Sequence, residues 1–166
     1  MDKFYYLAAQ LPLLKFAHPP FLTKEDFFSE LKKWLTPKEL AILNNAEIND
    51  FSIREGAPKL LVNYKKFERE LRERIAYFRR ARKNNLEYSL SGELKDILTR
   101  ENPLEVEKKL LYLRWKFVEE LEIGHYFDLE FFIVYFLKLQ ILYKFFTFNK
   151  DEGMRKFKSL CKVNLS

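Results

Sequence analysis

The sequence predicts an all-α chain, a bundle of six or seven helices, on three grounds. Strand-rich folds need a turn about every 8–12 residues. Yet this chain of 166 residues has four glycines, at 56, 92, 124 and 153, neither glycine nor proline from Lys59 to Ser91, and no proline after Pro103. Helix-start signals also recur along it, and its long segments carry apolar residues at helical spacing.

Taken in order, Phe4–Ala9 reads as helix or extended chain, ended by Pro12. Thr23-Lys-Glu-Asp26 is a capping box opening a helix to about Leu35, with Phe27, Phe28, Leu31 and either Trp34 or Leu35 as its apolar stripe. Thr36-Pro37-Lys-Glu39 opens the next, with Thr36 as N-cap and Pro37 where the missing N–H costs nothing. Over residues 59–83, at about 100° per residue, Leu60, Tyr64, Phe67, Leu71, Ile75 and Phe78 share one sector. Lys65, Arg69, Arg72, Arg79, Arg80 and Lys83 lie opposite. Asn102-Pro103-Leu-Glu105 repeats the N-cap pattern and starts a helix to Glu122 with two stripes. One is Val106, Leu110, Leu113, Phe117 and Leu121; the other is Leu104, Leu111, Trp115 and Val118. Two stripes require neighbours on both sides. Gly124 ends this helix and Asp128 caps the next. Residues 129–146 are apolar nearly all round, relieved by Glu130, Lys138, Gln140 and Lys144, as suits the central helix of a bundle or a partner interface. Asn149-Lys-Asp-Glu152 opens a last short helix. This places the core towards the C-terminus, in a single domain of residues 1–166 with an N-terminal subdomain over 1–57 beside a helical core over 58–166.

Composition removes most chemistry. One cysteine, Cys161, and two histidines, His18 and His125, exclude a disulfide framework and an intrachain Cys/His zinc site. The scattered glycines write neither a dinucleotide fingerprint nor a P-loop. His125 and Asp128 form a conceivable general-base pair, although a histidine after Gly124 more often closes the preceding helix. His18 precedes Pro19-Pro20 with no nameable partner, and Cys161 lies between Lys158 and Lys162 as a packing residue. No nucleophile, base and orienter can be assembled. The expectation is a non-enzyme without cofactor or metal.

The net charge of +6 is concentrated: residues 59–83 hold ten Lys/Arg against three acids, and the rest of the chain holds 20 against 21. Such a face is a solvated helix back, with Glu68–Arg72 and Glu70–Arg74 as ordinary i,i+4 pairs, or it meets an acidic protein surface, nucleic acid or anionic lipid. The candidate partner-binding residues are Arg69, Arg72, Arg79, Arg80 and Lys83. Nucleic acid ranks below protein because the aromatics of this helix, Tyr77 excepted, lie on the other side. Met1-Asp2-Lys3 has no basic excess and Gln10 and Pro12 interrupt the apolar stretch from Phe4 to Leu14, so secretion is not expected; no apolar run reaches the roughly 18 residues of a membrane span, and the expected compartment is the cytoplasm.

Two stretches add a resemblance. Tyr5-Tyr6-Leu7-Ala8-Ala9-Gln10-Leu11-Pro12-Leu13-Leu14, and Glu120–Asp128 (ELEIGHYFD) followed by Val134–Leu142 (VYFLKLQIL), resemble a family of short, uncharacterised bacterial proteins encoded among V-type (V/A-type) ATPase subunits. From Asn102 to about Leu160 the chain is also similar to one helical repeat of that ATPase's C subunit (d in eukaryotes). Gln140 and Phe145 stand where the C subunit has an acid and an asparagine. The resemblance implies a non-catalytic accessory or C-like central-stalk subunit, in an assembly for ion or proton transport. Its partners would be the rotor ring and central shaft, at the inner membrane only through those partners. The alternative read from charge is a helical nucleic-acid-binding module using the basic helix 59–83.

Overall fold

A computed structural model describes residues 2–88, 90, 92–148, 154–155 and 158–159. Among the described residues the architecture is all-helical: α1 (Asp2–Gln10), α2 (Lys24–Lys32), α3 (Pro37–Asn44), α4 (Lys59–Lys83), α5 (Glu93–Leu98), α6 (Pro103–Glu122) and α7 (Leu129–Phe146). The first segment, whose residues suit either helix or extended chain, is helical. The caps form, but the box expected of Thr23 and Asp26 is one-sided, the Asp26 carboxylate accepting from the Thr23 hydroxyl and not from its backbone N–H. Thr23 accepts from the Asp26 N–H, and Thr36 and Glu39 close a reciprocal capping box. Asn102 accepts from the Leu104 N–H, and Asp128 from that of Phe131. Gly124, at φ +91°, supplies the left-handed turn after α6. Met154, Arg155, Lys158 and Ser159 are helical, while the expected start at Asn149–Glu152 and Cys161 lie outside the described residues.

The central role expected of α7 is met: Phe132 to Leu139 are all buried. Its most extensive contact is with α6, to which a short turn joins it. The core, however, is not C-terminal alone. Leu7, Phe27, Leu31, Leu35, Leu43, Ala46 and Ile48 belong to the same apolar cluster as Trp115, Val118 and the buried face of α7. Polar side chains of α7 fasten this N-terminal layer. The Tyr135 hydroxyl donates to the Pro12 carbonyl at 2.8 Å and that of Tyr143 to Leu22 at 2.6 Å. Gln140, read as mere polar relief, accepts from the Ile48 N–H and donates to the Ala46 carbonyl. Leu35, not Trp34, completes the stripe of α2.

A second cluster joins Leu71 and Ile75 of α4 to Val106 and Leu110 of α6, closed by Leu90, Leu94, Ile97 and Leu98. The helix that supplies the last three, α5, has no counterpart among the expected elements, although Leu94, Ile97 and Leu98 carry a one-turn apolar stripe. The stripes of α6 reach two clusters but not one each: Val106, Leu110 and Leu113 face the second, while Phe117 and Leu121 join Leu111, Trp115 and Val118 on the first, and Leu104 is exposed. Among the described residues no helix is long and apolar enough to cross a membrane.

Candidate partner interface

The apolar sector of α4 packs inward as its spacing predicts, but its basic back is not a uniform solvent face. Lys65 is buried, its ammonium donating to the Ser52 carbonyl at 2.7 Å with Asp50 at 3.7 Å. Burial lowers its pKa from the ordinary lysine value, with Asp50 opposing that shift. Arg69 donates to the Phe51 carbonyl at 3.0 Å, and the Arg72 guanidinium lies 4.4 Å from the Phe51 ring centroid. The reason is the loop between α3 and α4, which folds back over this side of the helix; residue spacing along one helix carries no information about such a neighbour.

Glu68 departs furthest from expectation. Rather than an ordinary surface pair with Arg72, it is 1% exposed and binds two arginines. Its Oε1 accepts from Arg72 Nε at 2.7 Å and from Arg114 at 2.9 Å, and its Oε2 accepts from Arg114 Nε at 2.8 Å. Arg114, itself buried, presents its planar fork to the carboxylate in a bidentate pair. Burial opposes the charge of Arg114, but Glu68 more than compensates and holds its pKa above the ordinary value. The expected Glu70–Arg74 pair does not form.

Of the remaining candidate residues, Arg79 approaches Glu107 at 3.7 Å, Arg80 lies 5.7 Å from the Tyr77 ring centroid, and Lys83 is exposed in the last turn of α4. Arg72, Arg79 and Arg114 meet Lys144 of α7 around a cleft of about 280 Å³. Nothing in the spacing of α4 alone points to Arg114 or Lys144.

His125 hydrogen-bonds through Nδ1 to Asp128 Oδ2 at 2.6 Å, while Asp128 Oδ1 accepts from the Phe131 N–H. His125, Asp128 and Glu130 bring potential metal-ligating atoms within 4.8 Å of one another. Both oxygens of Asp128 are already engaged, one capping α7 and one orienting the imidazole, so the pair does structural work in the α6–α7 turn. The side chain of His125 thus ties itself to α7 instead of capping α6, whose end its backbone N–H closes by donating to the Glu122 carbonyl at 2.9 Å.

Exposed aromatic rings also gather elsewhere on the surface. Tyr6 packs on Trp34 with ring centroids 5.4 Å apart, and Tyr5 on Phe127 at 4.9 Å. All four rings stay exposed, beside Ile123 and Tyr126 at 76% and 63% exposure. The turn after α2, the outer face of α1 and the α6–α7 turn thus form one aromatic ridge. Lone exposed apolar residues are ordinary, but a contiguous set that is half out of water marks a contact surface. Tyrosine and tryptophan are the residue types that dominate such contacts.

A family model described as a protein of unknown function (DUF2764) matches residues 70–164. No curated protein and no solved structure matches the chain.

Proposed function

Because the chain belongs to this family of proteins of unknown function (DUF2764), we propose its role from its surfaces: it acts by binding protein partners, as a non-catalytic subunit. The observation that carries this reading is the aromatic ridge of Tyr5, Tyr6, Trp34 and Phe127 with Ile123 and Tyr126. Covering it removes apolar area from water at about 25 cal/mol per Å², a driving force that needs no catalytic group.

The assembly we propose is a bacterial V-type ATPase, with this chain as an accessory or C-like central-stalk subunit linking the membrane rotor to the shaft. That step is supported by the resemblance of Tyr5–Leu14, Glu120–Asp128 and Val134–Leu142, the first two of which supply most of the ridge. It implies a position at the cytoplasmic side of the membrane, reached through the partner subunits. Arg79, Arg80 and Lys83, at the exposed end of α4, offer an acidic partner surface a second contact.

Affinity purification of the tagged chain from its native cell in mild salt tests the proposal. V-type ATPase subunits are expected to co-purify, and to be lost when Tyr6 and Phe127 are both replaced by serine. Recovery without any such subunit removes the assembly. Salt-sensitive binding to DNA or RNA that weakens on Arg79→Glu and Arg80→Glu would replace the reading with the nucleic-acid one.

A further inference from the structure

We propose that the cleft between α4, α6 and α7 is a binding site for a small phosphate monoester, held by Arg72, Arg79, Arg114 and Lys144. The charges around this cleft do not cancel within the chain. Glu68 is consumed by Arg72 and Arg114. Glu107 meets Arg79 only at 3.7 Å. The Lys144 ammonium of α7 has neither a hydrogen bond nor an ion pair among the described residues, although the residue is half-buried and lines the same cleft as the three guanidiniums. Four cations therefore face two carboxylates. Burial first, and then the positive charges of Arg114 and Arg72, lower the pKa of Lys144 from the ordinary lysine value. Folding by itself gains nothing from gathering like charges on a partly desolvated surface. An anion in the cleft reverses the sign of that interaction.

The excess of two positive charges selects the class of anion. A phosphate monoester carries about −1.5 to −2 at neutral pH with three acceptor oxygens, whereas one carboxylate leaves a cation unanswered. Arg79, which makes no hydrogen bond among the described residues, can present its fork to phosphate oxygens; Arg72 and Arg114 have only the N–H groups not given to Glu68, and the Lys144 ammonium adds a mobile point charge. Ile75 and Leu110 supply apolar wall, which limits water at the buried Arg114 end of the cleft, while Arg79 closes its solvent-facing side. At about 280 Å³ the cleft takes a phosphoryl group with a small organic residue. It falls below the roughly 300–1,000 Å³ of pockets that enclose larger ligands. The site is separate from the aromatic ridge and shares only Arg79 with the second partner contact proposed above, so its test does not depend on the subunit role.

The test is calorimetric titration of the full chain at low ionic strength with inorganic phosphate, phenyl phosphate and, as a monoanionic control, benzoate. Saturable one-site binding of a phosphate is expected, with benzoate at least about tenfold weaker. Lys144→Gln and Arg79→Gln should each weaken phosphate binding about tenfold or more, the loss of one charge-assisted contact. Lys38→Gln, exposed on α3 and absent from the lining of the cleft, should leave it unchanged. Equal affinity for inorganic and phenyl phosphate identifies the free ion as sufficient; preference for phenyl phosphate identifies an ester. Urea unfolding in phosphate-free buffer shows whether Lys144→Gln is folded, with a midpoint at or above that of the parent expected because a repulsion is removed. Absence of saturable phosphate binding overturns the proposal, as do benzoate binding as tightly or unchanged affinity in folded Lys144→Gln.

Discussion

Replacing Glu68 by glutamine preserves the volume of the side chain and removes the one charge that two guanidiniums share. Glu68 is 1% exposed, and the side chain of Arg114 retains 9% of its accessible surface, so water can replace little of what is lost. Breaking a buried, hydrogen-bonded ion pair by removing one partner costs about 3–5 kcal/mol. A domain of this kind has about 5–15 kcal/mol of total stability. With a urea m-value of about 2 kcal/mol per molar, the unfolding midpoint should fall by about 2 M at unchanged m. The informative comparison is Glu68→Leu with Arg114→Met. Removing both charges eliminates the desolvation cost as well as the attraction, so the double variant should lie within about 1–2 kcal/mol of the parent. Arg72 reaches solvent in that variant, its side chain being 41% exposed. Urea unfolding of the two single variants and the double variant, monitored by circular dichroism, completes a double-mutant cycle. A single-variant loss below about 1 kcal/mol, the size seen for exposed pairs, would refute the reasoning. A double variant as unstable as the sum of its singles would refute it equally.

Three further outcomes follow from the same geometry. Tyr64 is buried with no hydrogen-bond partner for its hydroxyl among the described residues, and burial, then the nearby Glu68 carboxylate, raises its pKa. Tyr64→Phe should therefore be neutral or stabilising by about 1 kcal/mol, and a loss of that size in urea unfolding would show that the hydroxyl is paired. A methyl group at Gly124 would meet nothing within 4 Å, but the residue sits at φ +91°, so Gly124→Ala should cost about 1–2 kcal/mol through backbone strain alone. Equal thermal midpoints for that variant and the parent would contradict the left-handed turn. Burial opposes ionisation of Glu39, but the Thr36 N–H and hydroxyl and the Lys3 ammonium together hold its carboxyl below the ordinary 4.5. The folded carboxyl being the stronger acid, its contribution is complete above that value and fades as pH falls through the lower folded one. Thr36→Ala should cost about 1 kcal/mol at pH 7, and the gap to the parent should narrow below pH 4.5; a gap independent of pH would contradict the reciprocal box.

The legible parts of the fold are those set by a few neighbouring residues. Thr23, Thr36, Asn102 and Asp128 each accept the backbone hydrogen bond that their position promises, because a cap depends on three or four consecutive residues. The stripes of α4 and α6 face their clusters for the same reason: their period is a property of one helix. What failed was of longer range. Lys65 looked solvent-facing on its own helix, yet the loop at Asp50 and Ser52 covers it. Glu68 looked like an ordinary partner of Arg72 until α6 brought Arg114 against it across 46 residues of chain. Leu7, Leu43 and Ile48 joined the central core because α7 has apolar surface on every side and recruits whatever packs there.

By itself, the sequence determined that this chain is helical, where most helices begin, which long faces are apolar, and that its charge is concentrated between residues 59 and 83. Hydrogen-bonding and helical period act within a turn or two, and those distances are written in adjacent letters. The tertiary structure alone decided which cations remain free to meet a partner, which exposed rings of α1, α2 and the α6–α7 turn become one ridge, and which four cations surround one cleft. Each of these is a sum over elements far apart in the chain. Their energies depend on distance through space and on exclusion of water, neither of which spacing along a helix encodes.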